Sequence, residues 1–404
     1  MAKFLKIFLS LLLSFSLLCI GASAATVSSE CDLSDINVPI DTSVNNAAIG
    51  QTLDIKAKSV ILMEPHTMTV LYESNSDEKL SPASITKIMS LLLVMEALDR
   101  GDITLETVVT ASEHACSMGG SQIWLEPNET MTVHELLKAT VIASANDACV
   151  ALGELISGSE EGFVALMNSR AKELGCNNTN FINCTGLDAE GHLTTAYDVA
   201  VMSSELIKHD LIKDYSTVWM DALRNGESEL VNTNKLVRFY QGTTGLKTGT
   251  TSTAGYCLSA TAQRDGMELV AVVMSGETSN DRFNGAKKLL DYGFAKYTFF
   301  EVEADLGETT KINVKKGVNK NVEISADGKL NLLLPKSEAK QINQKINLKS
   351  DLTAPVKKGQ VVGNVDIFVG DKSVGSIKIV SNNQVKGLNL WISFKRIMSG
   401  LLIL

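Results

Sequence analysis

Two neighbouring apolar segments constrain the fold more than any other feature of the chain. "AGYCLSATA" (254–262) and "MELVAVVMS" (267–275) flank the turn "RDG", and their composition is typical of buried strands. Earlier, "AKSVILMEPHTMTVLYESN" (57–75) places two apolar runs around the turn "EPHT", which predicts another hairpin. Because the segments between these hairpins have helical patterns, we predict an antiparallel sheet flanked by helices, an α/β (α+β) fold.

Four helices are predicted between the two hairpins. The first begins at Ser84, because apolar residues follow it at helical spacing. Thr132 and Glu135 form a capping-box pattern that opens a second helix in "TVHELLKATVIASAND". A third, "SEEGFVALMNSRAKELG", ends at Gly175, and a fourth opens at Thr195.

The first 25 residues predict a signal peptide. Lys3 and Lys6 precede an apolar run (7–20), and the small residues Ala22, Ser23 and Ala24 follow it. The run is short for a membrane span. We therefore expect an exported, extracytoplasmic protein.

The rest of the chain is divided into four segments by composition. We predict a flexible lead-in (26–54), a catalytic domain (55–298), a small all-β domain of six alternating runs (299–385) and a terminal amphipathic helix (386–404). Lys395 and Arg396 interrupt that last segment, which argues against a span. We expect it to lie in a membrane interface as a peripheral anchor, with packing on the core as the alternative.

Charge and metal-ligand spacing exclude several classes of partner. The net charge of −9 becomes −11 when residues 1–25 and their two lysines are removed, which argues against nucleic acid. The histidines have no metal-ligand spacing, so no metal or other cofactor is predicted. The scattered cysteines favour buried free thiols, with a bridge between Cys176 and Cys184 as the alternative.

Ser84 and Lys87 are candidates for chemistry. On a helix, residues three apart share a face, so the lysine amine can take the proton of the serine hydroxyl as the serine attacks a carbonyl. Ser76 with Lys79 and Ser337 with Lys340 have the same spacing, so the pair alone is weak evidence.

The specific signal is the conjunction of three motifs. "SAN" (144–146) begins 60 residues after Ser84, and "KTG" (247–249) begins 103 residues later on a predicted strand. This set of motifs, in this order, is typical of β-lactamases and penicillin-binding proteins.

The chain here resembles the low-molecular-mass penicillin-binding proteins, the serine-type D-alanyl-D-alanine carboxypeptidases of the S11 peptidase family. The resemblance runs from "LYESNSDEKLSPASITKIM" through "GGSQIWLEP", "LLKATVIASANDACVALGE", "NCTGLDAEGHLTTAYDVA" and "GLKTGTTSTAGYCLSATA" to "LLDYGF". It implies a β-lactamase/transpeptidase-like domain, and the all-β domain and tail resemble that family's C-terminal module and membrane anchor. The implied partners are peptidoglycan stems ending in D-Ala-D-Ala, with β-lactams as covalent inhibitors.

The residues and the resemblance together assign the acyl-transfer roles. Ser84 is the expected nucleophile and Lys87 its general base, with a pKa lowered by burial and by Lys247. Ser144 is expected to relay a proton to the leaving amine, and Asn146 to hold the substrate amide and orient Lys87.

The "KTG" strand is expected to bind the other end of the substrate. Lys247, Thr248 and Thr250 would hold the terminal carboxylate, with Gly249 between them. The backbone amides of Ser84 and, by resemblance, Thr250 would form the oxyanion hole.

Departures from the family pattern leave two alternatives open. Some members carry an arginine where this chain has "NTNKLV", so the threonines, or nearby Arg238, would anchor the carboxylate. His192 and Asp198 are interpreted as loop support and a helix cap. A β-lactamase would need a deacylating glutamate, for which Glu190 is the candidate, and an inactive wall-binding relative is the non-enzymatic alternative.

Overall fold

The computed structural model describes residues 53–389 together with 391, 392 and 394. The predicted signal peptide, nearly all of the predicted lead-in and most of the predicted terminal helix lie outside the described residues. Among the described residues, no helix is both long and apolar enough to cross a membrane.

The first three quarters of the described chain mix helices and strands. The strands are β1 (Ala57–Glu64), β2 (Thr69–Ser74), β3 (Val108–Thr110), β4 (Thr130–Thr132), β5 (Met220–Leu223), β6 (Ser228–Val231), β7 (Thr243–Thr251), β8 (Gly255–Arg264) and β9 (Met267–Gly276). The helices are α1 (Lys87–Asp99), α2 (Glu113–Cys116), α3 (Val133–Lys138), α4 (Asn146–Ser157), α5 (Glu160–Glu173), α6 (Ala196–Leu206), α7 (Leu211–Ser216), α8 (Leu236–Phe239) and α9 (Ser279–Lys296). Short 3-10 turns cover Ala83–Thr86 and Arg224–Gly226.

The two predicted hairpins join one antiparallel sheet. Its strand order is β2-β1-β9-β8-β7, and each neighbouring pair is antiparallel. Alternate residues of β9 point to opposite faces, so Val270 and Val272 join one apolar core while Leu269 and Ala271 join another. Burial of both faces explains why β9 is apolar without alternation, and the predicted fold class is confirmed.

Helix α1 crosses the larger core and is buried nearly all round. The residues from Lys87 to Met95 are all buried, and α1 packs against α4 and α6. Truncating a fully buried residue such as Met89 to alanine would cost about 2–5 kcal/mol. The 3-10 turn in front of α1 carries Ser84, so the predicted serine lies at the entry to this helix.

The predicted second helix is interrupted. It starts with the expected capping box, in which Thr132 and Glu135 satisfy each other's backbone amides. After Lys138 it becomes a π turn (Ala139–Ala143), and Ser144 has a left-handed backbone with φ of +64°. A single helix cannot continue through that conformation, so α4 starts anew at Asn146.

The C-terminal part is built from strands. They are β10 (Tyr297–Val302), β11 (Lys311–Lys315), β12 (Asn321–Asp327), β13 (Leu330–Pro335), β14 (Ile342–Leu348), β15 (Leu352–Thr353), β16 (Val361–Val369) and β17 (Lys372–Ser381). A six-stranded sheet has the order β14-β16-β17-β12-β11-β15, and β10 pairs with β13 in a two-stranded sheet. Residues of both sheets form one apolar core, the third of the described chain. The predicted all-β character is confirmed, whereas the boundary at residue 298 stays a prediction.

Candidate active site

Ser84, Lys87 and Asn146 form a hydrogen-bonded group at the entry to α1. Lys87 Nζ lies 3.1 Å from Ser84 Oγ and donates to Asn146 Oδ1 at 2.5 Å and to the Thr185 carbonyl at 2.8 Å. A neutral amine has two hydrogens and one lone pair. If the two hydrogens go to Asn146 and Thr185, the lone pair faces the hydroxyl of Ser84, which is the arrangement a general base requires.

Burial favours the neutral form of that amine. The Lys87 side chain is fully buried, and loss of hydration lowers its pKa from 10.5 to about 8. The predicted effect of burial is therefore confirmed. The predicted repulsion between the two lysines appears instead on Lys247, whose pKa is lowered well below 10.5 by burial and then by Lys87.

Two glycines let backbone segments approach Ser84 from both sides. A Cβ on Gly249 would lie 2.8 Å from the Ser84 amide nitrogen and 2.9 Å from that of Ile85. Gly186 has φ of +88°, and a Cβ there would lie 1.8 Å from the carbonyl oxygen of Ala83. Only glycine fits at either position, which gives the last residue of "KTG" a steric role.

Asn146 is held on its other side by the segment 119–121. Its Nδ2 donates to the Gly119 carbonyl at 2.6 Å, and its backbone amide donates to the Ser121 carbonyl at 2.7 Å. The Asn146 oxygen is thus fixed toward Lys87. Ser144 is buried in the turn just before, and within residues 53–389 no hydrogen bond joins it to Ser84 or Lys87.

The residue after Asn146 was missed by sequence reasoning. The Asp147 carboxylate is completely buried and accepts hydrogen bonds from the amides of Ile123, Leu125 and Ala148. It joins the start of α4 to the segment after Gly120. Its position directly after Ser-x-Asn was the available signal, but two of its three partners, Ile123 and Leu125, are more than twenty residues away along the chain.

Strand β7 forms the opposite wall and is the edge of the five-stranded sheet. Lys247 and Thr248 are buried, and Lys247 Nζ donates to the Thr248 carbonyl at 3.0 Å. Thr248 Oγ1 donates to Thr233 Oγ1 at 2.7 Å. Thr233 lies in the "NTN" segment, so a pair of hydroxyl groups stands beside the "KTG" strand at that position.

Arg282 is a second residue that sequence reasoning missed. Its Nη1 donates to Thr250 Oγ1 at 2.8 Å and to the Gly249 carbonyl at 3.0 Å, although it lies in α9. Its buried Nε has no partner among the described residues. Arg238, the candidate from the sequence, instead stacks on Trp219 and Phe239, each 5.6 Å from its guanidinium carbon.

Several other predicted residues support loops. His192 bonds Thr86 Oγ1 at 2.8 Å and accepts from the Ile182 amide at 3.0 Å, and burial lowers its pKa to about 4. The loop-support interpretation of His192 is confirmed. Thr195 caps α6, whereas the Asp198 carboxylate accepts from the Asn178 amide and the Thr179 hydroxyl, so Asp198 also holds a loop.

Glu190 does not join the catalytic group. It is exposed, and within the described part of the chain no hydrogen bond or ion pair connects it to Ser84 or Lys87. Free thiols are found at Cys116, Cys149, Cys176, Cys184 and Cys257, so Cys176 and Cys184 are not bridged in the structure.

Comparison with known families gives two matches. Residues 44–278 match the family described as D-alanyl-D-alanine carboxypeptidase, and residues 294–387 match the penicillin-binding protein 5 C-terminal domain. D-alanyl-D-alanine carboxypeptidase DacF of Bacillus subtilis is 43% identical over 347 residues, which are 85% of this chain and 89% of the relative. DacC of Escherichia coli is 37% identical over 329 residues, covering 79% of this chain and 82% of the relative.

Solved structures agree with these matches. Penicillin-binding protein 5 of Haemophilus influenzae has a TM-score of 0.71 and 31% identity, covering 83% of this chain and 99% of its own. Penicillin-binding protein D2 of Listeria monocytogenes, in its ampicillin-bound form, has a TM-score of 0.56 and 31% identity. It covers 60% of this chain and 100% of its own.

Proposed function

The chain belongs to the D-alanyl-D-alanine carboxypeptidase family of serine peptidases, and from this premise we propose how its residues remove the terminal D-alanine of peptidoglycan pentapeptide stems. The observation that carries the mechanism is the Lys87 amine, 3.1 Å from Ser84 Oγ with acceptors for two hydrogens. This arrangement supports a lysine base for a serine nucleophile.

Acylation forms one bond and breaks one. Ser84 Oγ attacks the carbonyl between the two D-alanines as Lys87 takes the hydroxyl proton. The C–N bond then breaks, and the proton passes through Ser144 to the leaving amine of D-alanine. Water attacks the resulting ester as Lys87 takes one of its protons. The ester C–O bond then breaks, and Lys87 passes that proton to Ser84 Oγ, which restores the serine hydroxyl and the neutral amine.

The substrate's terminal carboxylate binds along β7. Lys247 supplies the positive charge, and Thr248 and Thr250 supply hydroxyl donors, with Arg282 behind Thr250. The described residues form no ion pair with the buried Lys247, so an arriving carboxylate would supply a counter-charge and favour the protonated form of this lysine. The amides of Ser84 and Thr250 receive the oxyanion, and Asn146 holds the substrate amide.

Penicillins are expected to acylate the same serine. The β-lactam-bound forms of the Listeria relative support this. The exposed Glu190 without contact to the catalytic group favours slow release of the penicilloyl-enzyme over β-lactamase turnover. Rapid steady-state nitrocefin hydrolysis would instead support the β-lactamase alternative.

The test is covalent labelling by a fluorescent penicillin. Ser84→Ala should abolish labelling, whereas Ser76→Ala should leave it intact, because Ser76 has the same spacing to a lysine but donates to Glu73. Labelling of the Ser84 variant would show that the nucleophile is wrongly assigned, and an unlabelled wild type would indicate an inactive relative. Mass spectrometry of a pentapeptide should show loss of one alanine.

Export and membrane attachment complete the proposal. Residues 1–25 would direct export, and residues 386–404 would hold the enzyme on the outer face of the cytoplasmic membrane. Trp391 and Phe394 are exposed aromatic residues in this tail, with ring centroids 6.0 Å apart. Deleting residues 387–404 should release active protein from membranes, and retention there would contradict the anchor.

A further inference from the structure

The carbonyl of Thr185 that accepts a hydrogen from Lys87 belongs to a short loop, residues 183–186. Lys87 Nζ donates to that carbonyl at 2.8 Å. The next residue of the loop, Gly186, lies so close to the start of α1 that a Cβ on it would overlap the Ala83 carbonyl. The position of loop 183–186 therefore decides where one hydrogen of the Lys87 amine points.

The shape of this loop is set from within. Asn183 Oδ1 accepts from the Thr185 amide at 3.2 Å and from the Gly186 amide at 2.7 Å. These bonds join residues that are two or three apart along the chain. They fix the turn itself, whereas the distance between the turn and Lys87 depends on contacts with other elements.

Cys184 makes those contacts through both polar groups of its backbone. Its amide donates to Glu160 Oε1 at 3.1 Å. Its carbonyl accepts from Ser90 Oγ at 2.6 Å, and the thiol of Cys149 lies 3.4 Å from the same oxygen. Ser90 lies one turn after Lys87 in α1, so the loop is held by the helix that carries the base and also by α4 and α5.

Glu160 is the charged member of these contacts. Its second oxygen, Oε2, bonds His114 Nε2 at 2.8 Å, and its side chain is 13% exposed against 47% for His114. The next residue, Glu161, lies in the same first turn of α5 and is exposed. An acid in that turn stabilises a helix through its dipole, and either residue can do this. The inward position of Glu160 is explained by its bond to the Cys184 amide.

We propose that Glu160 is a positioning residue for the general base. By holding the Cys184 amide, its carboxylate keeps the Thr185 carbonyl in place as an acceptor. That acceptor leaves the lone pair of Lys87 facing Ser84. This inference rests on the proposed function, in which Lys87 is the base. Among the described residues no hydrogen bond joins Glu160 to Ser84 or Lys87, so its removal should slow proton transfer without weakening substrate binding.

The experiment follows acylation by a fluorescent penicillin in stopped flow at rising concentration. It gives the limiting rate constant and the half-saturating concentration separately. Glu160→Ala should lower the limiting rate constant about tenfold and keep the half-saturating concentration within about twofold. Glu160→Gln should keep the rate constant within about threefold, because its amide oxygen still accepts from the Cys184 amide.

Glu161→Ala is the matched control. It removes an acid from the same turn of α5 and should leave both constants within about twofold of the wild type. The limiting rate constant describes only folded, reactive molecules, so a loss of stability lowers the amplitude of labelling instead. An unchanged rate constant in Glu160→Ala, or equal losses in Glu160→Ala and Glu160→Gln, would overturn the inference.

Ser90→Ala tests the loop from its other side. It removes the second contact to Cys184 and should lower the limiting rate constant at least about threefold. This variant decides the matter if Glu160→Ala yields no folded protein, and an unchanged rate constant would again overturn the inference. A wild type without labelling, or a Lys87→Ala variant with wild-type labelling, would contradict the proposed function instead.

Discussion

The region around Lys87 and the C-terminal strands bury different kinds of side chain. Between residues 57 and 296, two lysines, Asn146, Asp147 and Arg282 are buried together with many hydroxyls. Between residues 297 and 389 the buried side chains are apolar, with Ser381 the one polar exception among described residues. Burying a polar group costs free energy unless the group is paired. The concentration of buried polar side chains between residues 57 and 296 therefore indicates that function is located in that region.

The two regions also differ in how burial follows the strand. In β11 exposed and buried residues alternate strictly, as expected for a sheet with one wet face, whereas nearly all of β9 is buried. The C-terminal strands are thus stabilised by burying the apolar residues of an alternating apolar and polar pattern. The catalytic region uses its interior to fix the ionisation and position of a few side chains.

Removing the buried lysine should have the largest effect. Lys87→Ala takes away the proton acceptor for Ser84, so the acylation rate by penicillin should fall at least about 1,000-fold. Lys345→Ala, an exposed lysine of β14, should change it by less than twofold. Stopped-flow or gel-based labelling measures both, with circular dichroism to confirm folding. A Lys87 variant with more than a tenth of wild-type activity would mean that another group is the base.

Equal steric changes in the two regions should have unequal effects on activity. A Cβ on Gly249 would meet the Ser84 amide at 2.8 Å, and one on Gly363 would meet the Asn347 carbonyl at 2.4 Å. Both alanine variants should lose about 1–3 kcal/mol of unfolding free energy. Only Gly249→Ala should slow acylation, by about 100-fold, because it displaces the nucleophile.

Two measurements on each variant distinguish loss of folding stability from loss of reactivity at the active site. The number of penicillin-reactive sites is compared with the native fraction from thermal unfolding, for each variant. If Gly363→Ala slowed acylation as much as Gly249→Ala, the division between a catalytic and a supporting region would be wrong.

The features that the sequence could predict are those that follow from local patterns. The strands of both regions followed from apolar runs and turns. Ser84 and Lys87 met as expected because residues three apart along a helix share a face. The break at Ser144 was missed because apolar residues continue through it. Arg282 and the Asp147 contacts depend on tertiary proximity between distant segments, for which no local pattern exists.

The pH dependence of acylation should report the buried lysine. With a pKa of about 8, the neutral fraction of Lys87 at pH 7 is about one in ten, against roughly one in 3,000 for an ordinary lysine. The second-order acylation rate constant should therefore rise about tenfold per pH unit below pH 8 and level off above it. A profile that stays flat from pH 6 to 9 would exclude Lys87 as the titrating base.

The smallest effect on activity should come from removing the whole C-terminal region. A chain ending at residue 298 loses the third apolar core and β13. It also loses Lys336, which directly follows β13 and bonds the Lys296 and Phe294 carbonyls. It keeps α9, Arg282 and every residue of the proposed mechanism. The melting temperature should fall by several degrees because Phe299 and Leu333 no longer cover the second core. Acylation by penicillin should stay within about twofold, and a loss above tenfold in the folded truncated chain would show that the strands beyond residue 298 help to shape the cleft.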